Sequence, residues 1–230
     1  MSRGVAITST ADTCAYCGAP ATTEDHIPPQ ALLVGVPRSA RPSVRSCAAC
    51  NNGASDDDEY FRDVVLKYHR VSEQPAAAPA IAKMIRAIAL PAKAKYAAAT
   101  LRSFEDIRVG TPAGIDLGIR PAYRVNEGRI AKAAERYVRG LHRSELGVCV
   151  PADHTVRIQA NPESILQEQA RLVRVFASGT TRTVQPGVFW YKWVVPADRP
   201  SASAWLLVFY DALPLLGLVH PPGSPAPPAV

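Results

Sequence analysis

No run of eighteen apolar residues occurs in this 230-residue chain, so no segment matches the length of a membrane-spanning helix. The first residues, MSRGVAIT, carry one basic side chain and no apolar core, so a secretory signal is not expected there. There is no glycine-rich phosphate loop of the P-loop or dinucleotide type and no nucleophile elbow. That removes the commonest nucleotide-dependent and serine-hydrolase architectures. Internal repeats are absent as well, so the chain is not a solenoid.

Cysteine is scarce, but its placement is informative. Four of the five cysteines form two Cys-x-x-Cys pairs, Cys14/Cys17 and Cys47/Cys50. Two residues between cysteines let a tight turn aim both sulfurs at one ion, and two such pairs complete a tetrahedral set for one structural Zn²⁺ per chain. Two disulfides are the alternative, yet paired cysteines in a chain without a secretory signal more often bind metal or do redox work. A thioredoxin-like redox pair explains one Cys-x-x-Cys and leaves the other unexplained. Cys149 is left over and reads as a small buried apolar residue. A reducing, cytoplasmic location is the expectation.

Acids are missing between Ile27 and Cys50, where Arg38, Arg41 and Arg45 stand alone. That loop could lie along a nucleic-acid backbone; a solvated loop gives the same pattern. Over the whole chain the net charge is +6. Residues 1 to 72 hold 7 basic and 8 acidic side chains, and the remainder 19 and 12. The basic excess therefore lies outside the cysteine-bearing part.

Between the cysteine pairs, Thr23-Glu24-Asp25-His26-Ile27-Pro28-Pro29 sets a carboxylate beside an imidazole, and Asn51-Asn52 follows the last cysteine. The prolines end any helix, which predicts a short hairpin strand there. Successive strand residues point to opposite faces, so one of Asp25 and His26 can hold a metal while the other faces a substrate. Histidine titrates near neutrality and suits a general base. A cation held by one carboxylate and one amide oxygen keeps positions open for a phosphate and a leaving oxygen.

Cys14, Cys17, the DHIPP run and Cys47-Ala48-Ala49-Cys50-Asn51 together resemble the zinc-stapled subgroup of the HNH, or ββα-metal, nucleases. The resemblance covers about the first third of the chain. It implies an Asp-His-Asn site in which Asp25 and Asn51 ligate Mg²⁺ or another divalent cation and His26 is the general base, and it implies DNA as the partner and substrate. Products would carry 5′-phosphate and 3′-hydroxyl ends. Family members usually carry a middle Asn before the second cysteine pair that orients the histidine. Here the positions read Arg41-Pro42-Ser43-Val44-Arg45-Ser46, with Ser43 or Ser46 as substitutes. That departure motivates an alternative, a non-catalytic nucleic-acid-binding zinc module. A zinc protein acting only through protein contacts is the third possibility.

The remaining chain predicts an α+β fold. Residues 1–72 form the zinc-stapled ββα-metal module, 73–220 a helical and mixed-sheet region that positions substrate, and 221–230 (PPGSPAPPAV) a disordered tail. Ser55 caps a helix whose first turn holds Asp56, Asp57 and Asp58, with Phe61, Val64, Val65 and Tyr68 facing the core. Gln74–Pro79 reads as a linker. Helices follow from Ile81 and over 92–104, and residues 105–123, broken by glycine and proline, read as loop with at most short strands. A helix over 129–143 places Ile130, Ala134, Tyr137 and Leu141 on one face. Arg129, Lys132, Arg136, Arg139 and Arg143 form a stripe on it that can track phosphates or simply be solvated. Gly140 weakens its last turn. Strands are predicted at Thr155–Gln159, Val188–Val195 and Trp205–Tyr210, a short helix at Pro162–Ala170, and Trp190, Tyr191, Trp193 and Trp205 belong to the core.

Overall fold

The computed structural model of the protein describes residues 12–111 and 113–223. It is an α+β structure whose order follows from short strands pinned by cysteines at one end and long apolar strands at the other. β1 (Thr23–His26) and β2 (Ser43–Ser46) pair antiparallel, with Asp25 opposite Val44 and His26 opposite Ser43. A helix follows at once: α1 (Ala48–Asn52) begins at Cys47, whose sulfur accepts the backbone N–H of Cys50. α2 (Ser55–Lys67) carries Asp56, Asp57 and Asp58 in its first turn, where carboxylates meet the positive end of the helix dipole. Ser55 is its first residue and not its cap; the Ser55 hydroxyl bonds the Asn52 carbonyl instead.

α3 (His69–Ser72), α4 (Ala78–Ile88) and α5 (Ala94–Arg102) come next. The stretch 74–79, expected as a linker, is packed: Pro75–Ala77 form a 3-10 turn and Ala77 is fully buried. Residues 105–123, expected as loop, form a hairpin of β3 (Phe104–Gly110) and β4 (Asp116–Tyr123). Gly114 sits at its turn, and Gly110, Gly118 and Pro121 lie within its largely exposed strands, where the carbonyl that proline leaves without a donor can turn to solvent.

α6 (Glu127–Leu146) is the axis of the fold. Asn126 caps it through the Arg129 N–H. Ile130, Ala134, Tyr137 and Leu141 are all buried, as their spacing predicts. β5 (Thr155–Gln159) leads into α7 (Pro162–Gln167) and α8 (Gln169–Val175). β6 (Thr180–Gln185), β7 (Phe189–Val194), β8 (Ser203–Phe209) and β9 (Leu213–His220) then complete an antiparallel sheet in the order β5-β9-β8-β7-β6.

Two glycines let α6 approach both sides. A Cβ on Gly140 would stand 2.2 Å from Ile27 Cδ1 and 3.0 Å from the Tyr16 hydroxyl. Gly140 is there for close approach to the cysteine-bearing module. On the sheet side, a Cβ on Gly217 of β9 would stand 2.5 Å from Val138 Cγ2. The core is continuous across the boundary expected near residue 72: Ile27, Leu33, Phe61, Tyr137 and Phe209 belong to one buried cluster. The Phe61 ring meets those of Tyr137 and Phe209 edge-on at 5.0 and 5.5 Å. Trp205 and Tyr191 are fully buried, as expected of core residues. Among the described residues no helix is long and apolar enough to cross a membrane. Most of the tail, residues 224–230, lies outside the described residues.

Candidate metal centre and the buried ionic network beside it

Cys14 and Cys17 sit on a tight turn closed by hydrogen bonds from Cys14 N to Ala19 O and from Gly18 N to Cys14 O. The second pair is delivered where β2 runs into α1. The four sulfurs lie within 4.8 Å of one another, and those of Cys17 and Cys47 are 3.7 Å apart. Sulfurs about 2.3 Å from a tetrahedral zinc stand about 3.8 Å from each other, so this group could hold a metal ion such as zinc. No disulfide joins any of the five cysteines. Burial raises the Cys14 thiol, but hydrogen bonds from the backbone of Cys47, Tyr16 and Cys17 outweigh it and bring it to about 6. Cys50 is pushed the other way by burial and by the three neighbouring sulfurs. A crowd of thiols that resists full ionisation is what a dication neutralises.

Asp25 and His26 point to opposite sides of β1, as strand geometry requires. Both are buried. The Tyr16 hydroxyl donates to Asp25 Oδ2 at 2.5 Å, and Arg136 Nη2 reaches the same oxygen from α6. Arg136 also bridges to Asp58 at 2.9 Å, and the Tyr137 hydroxyl donates to Asp58 at 2.8 Å. Burial works against the Arg136 charge, but Asp25, Tyr16 and Asp58 outweigh it and raise its pKa. Asp58 is raised too, because its burial outweighs Arg136 and Tyr137. The Arg136 guanidinium lies 5.0 Å over the Tyr16 ring. An arginine with two carboxylates and two tyrosines thus locks α6 onto the cysteine-bearing module.

Asn51 reaches the same strand: its Nδ2 donates to Thr23 Oγ1 at 3.2 Å and to the Glu24 carbonyl at 3.3 Å. Thr23 shares a strand face with Asp25. The structure therefore ties Asn51 to the strand that carries Asp25 and His26. His26 stands on the other face with Glu24, and its Nδ1 is buried without a hydrogen-bond partner. Burial, reinforced by Arg38 and Arg41 and opposed by Glu24, holds its pKa below the usual histidine range. Neither serine fills the role of the missing Asn. Ser43 donates to Glu24 Oε1 at 2.5 Å, and Ser46 turns to the Cys47 carbonyl.

The arginines and lysine expected to contact nucleic acid are largely committed within the chain. Arg41 braces its own loop through the Val36 carbonyl and Gln30, and Arg45 holds the Ala21 carbonyl. Arg38 stands 3.8 Å from Glu24 and is mostly exposed. On α6, Arg129 and Lys132 both pair with Asp57, at 2.8 and 2.7 Å. Arg136 is half-buried between Asp25 and Asp58. The acidic first turn of α2 does more than complement a dipole: it is the counterion set for α6. Sequence spacing recognised the stripe but not its partners on α2, which are 72 to 78 residues away. Tyr16 and Tyr137 had no sequence signal as site residues.

Comparison with protein-family models, with curated proteins and with solved structures finds no match for this chain.

Proposed function

We propose that the chain is a metal-dependent endonuclease of the HNH, ββα-metal kind that hydrolyses DNA phosphodiesters. The observation that carries the reading is the Asn51 amide bonded to β1: a hairpin, a helix and four clustered cysteines bring the first residue after the second cysteine pair to the strand that holds Asp25 and His26. The donor set suits a hard divalent cation such as Mg²⁺. Both side-chain contacts to Asp25 fall on Oδ2, and those of Asn51 use its nitrogen. Asp25 Oδ1 and Asn51 Oδ1 are the oxygens that would hold the ion. When bound, it would supply Lewis-acid stabilisation of the charge developing on the phosphate and leaving oxygen.

The chain's own residues do the rest. Arg136 and Tyr16 fix the Asp25 carboxylate so that Oδ1 keeps one direction. His26, neutral at pH 7 because burial lowers its pKa, has a ring nitrogen able to accept the proton of the attacking water. Cleavage would leave 5′-phosphate and 3′-hydroxyl ends.

The test is nicking of supercoiled plasmid with Mg²⁺ or Mn²⁺, beside His26→Ala. Nicking that needs the divalent ion and disappears in the variant, with zinc content unchanged, supports the assignment. Equal nicking by the variant contradicts it.

A second reading has its own observation. Arg136 and Tyr16 occupy one oxygen of Asp25, and no Asn orients His26, which is the state expected of a zinc module that binds nucleic acid without cutting it. In that case the plasmid stays intact under every metal while oligonucleotide binding persists.

A further inference from the structure

With Arg129, Lys132 and Arg136 paired inside the fold, the cations left for a polyanion are elsewhere. From Gln74 to Phe104 the sequence contains no acid and five cations, Lys83, Arg86, Lys93, Lys95 and Arg102. Only Lys93 is neutralised, by both oxygens of Glu59 at 2.9 and 3.0 Å. Lys83, Arg86, Lys95 and Arg102 are exposed and make no ion pair among the described residues. Lys95 and Arg102 are seven residues apart on α5, hence on one face and about 10.5 Å apart along the axis.

The same helix walls a groove of about 610 Å³ whose other sides come from α2, the end of β4 and the start of α6. Tyr60, Tyr96 and Tyr123 line it, with Arg124 and Arg129. Each tyrosine ring has a cation over it: Arg129 at 4.3 Å from Tyr60, Lys93 at 5.7 Å from Tyr96 and Lys67 at 4.5 Å from Tyr123. The acids at its edge are already matched, Glu59 by Lys93, Asp57 by Arg129 and Lys132, and Glu105 by Arg124. Lys95 and Arg102 remain as surplus positive charge on the helix that forms one wall. Aromatic rings beside free cations are the combination that holds unpaired bases and their backbone. Arg129, which lines the groove, and Arg136, which holds Asp25, are about 10.5 Å apart along the axis of α6, so one helix carries both.

We propose that the tyrosine-lined groove beside α5 is a binding site for single-stranded nucleic acid, with a base stacking on Tyr96, whose cation stands farthest off at 5.7 Å, and the backbone tracking Lys95 and Arg102. The proposal deepens the nuclease reading by naming the substrate form, and rests on it for the link to cleavage.

The test is fluorescence anisotropy with a labelled twelve-residue oligothymidylate and zinc-loaded full-length protein in magnesium-free buffer. Lys95→Ala/Arg102→Ala should bind about tenfold more weakly, and its log–log salt slope should fall by about 1.4, two phosphate contacts at about 0.7 each. Tyr96→Ala should weaken binding about tenfold with the slope unchanged. Wild-type affinity and slope in the double variant would overturn the proposal. So would tighter binding of a duplex of equal length, or binding of phosphatidylserine vesicles and not of the oligonucleotide. Plasmid nicking by the same proteins separates the two claims. Intact groove-dependent binding without nicking removes the nuclease and keeps the groove; nicking with binding unaffected by the double variant removes the groove alone.

Discussion

The hairpin that carries Asp25 and the sheet of β5 to β9 are held together by different physics. β1 and β2 are four residues each, and two strands of that length do not stand alone in water. Their buried set includes Asp25, His26 and Ser46, polar groups that cost free energy unless partnered. Cysteines and ion pairs do the work there. The sheet buries Trp205, Tyr191, Phe189 and Phe209 completely, each contributing about 2 to 3 kcal/mol by leaving water. Chemistry-bearing residues thus collect where the cysteine cluster and the ion pairs lie, and apolar residues where burial holds the frame. α6 serves both, meeting the hairpin at Gly140 and Arg136 and the sheet at Val138.

That contrast breaks most completely on metal removal. Structural zinc contributes on the order of 10 kcal/mol to small folds of this kind. Chelation, or Cys47→Ser, should abolish hydrogen-exchange protection in β1, β2 and α1 while β7, β8 and β9 keep theirs. Equal loss in both regions would mean that the sheet depends on the metal too.

Arg136→Met comes next. It strands Asp25 and Asp58 without their shared counterion, which costs about 3 to 5 kcal/mol for a buried pair; urea unfolding reads it. A loss below about 1 kcal/mol would place the network in the class of surface pairs. Gly140→Ala should cost less, about 1 kcal/mol net, since overpacking against Ile27 and Tyr16 is offset by better helix propensity. Gly217→Ala, against Val138, tests the sheet side in the same way. The two variants should differ in hydrogen exchange, the first loosening β1 and the second β9.

The smallest expected effect is a pH dependence. Burial, with His154 and Arg139, holds the His142 pKa below its unfolded value, despite the bond between its Nδ1 and the Val148 carbonyl. Above about pH 6.5 the ring is neutral in both states. As pH falls through that value the unfolded chain takes up the proton first, so stability drops until the folded pKa is reached. His142→Gln should show a shallower drop between pH 7.5 and 5.5 in denaturant titrations. An identical slope would mean the ring is hydrated in the folded state.

Local signals were legible in the sequence. Cysteine spacing indicated the cluster, prolines bounded β1, and the 3.6-residue period of Ile130, Ala134, Tyr137 and Leu141 gave the buried face of α6. What escaped was non-local. Nothing near Arg136 says that it turns inward to Asp25, 111 residues away, and a basic stripe reads the same whether it faces phosphates or the carboxylates of another helix. The β3–β4 hairpin was obscured by its own glycines and prolines, and Gly140 seemed a weakness because the side chain it makes room for, Ile27, belongs to another element.

The central claim is that one chain carries two metal sites of different character, a cysteine cluster and an oxygen-donor site at Asp25 and Asn51. Electron paramagnetic resonance of Mn²⁺ added to zinc-loaded protein tests it without any turnover. The account predicts about one exchangeable Mn²⁺ per chain, displaced by Mg²⁺ and lost in Asn51→Ala with zinc content unchanged. Mn²⁺ that stays free in the presence of wild-type protein would contradict it.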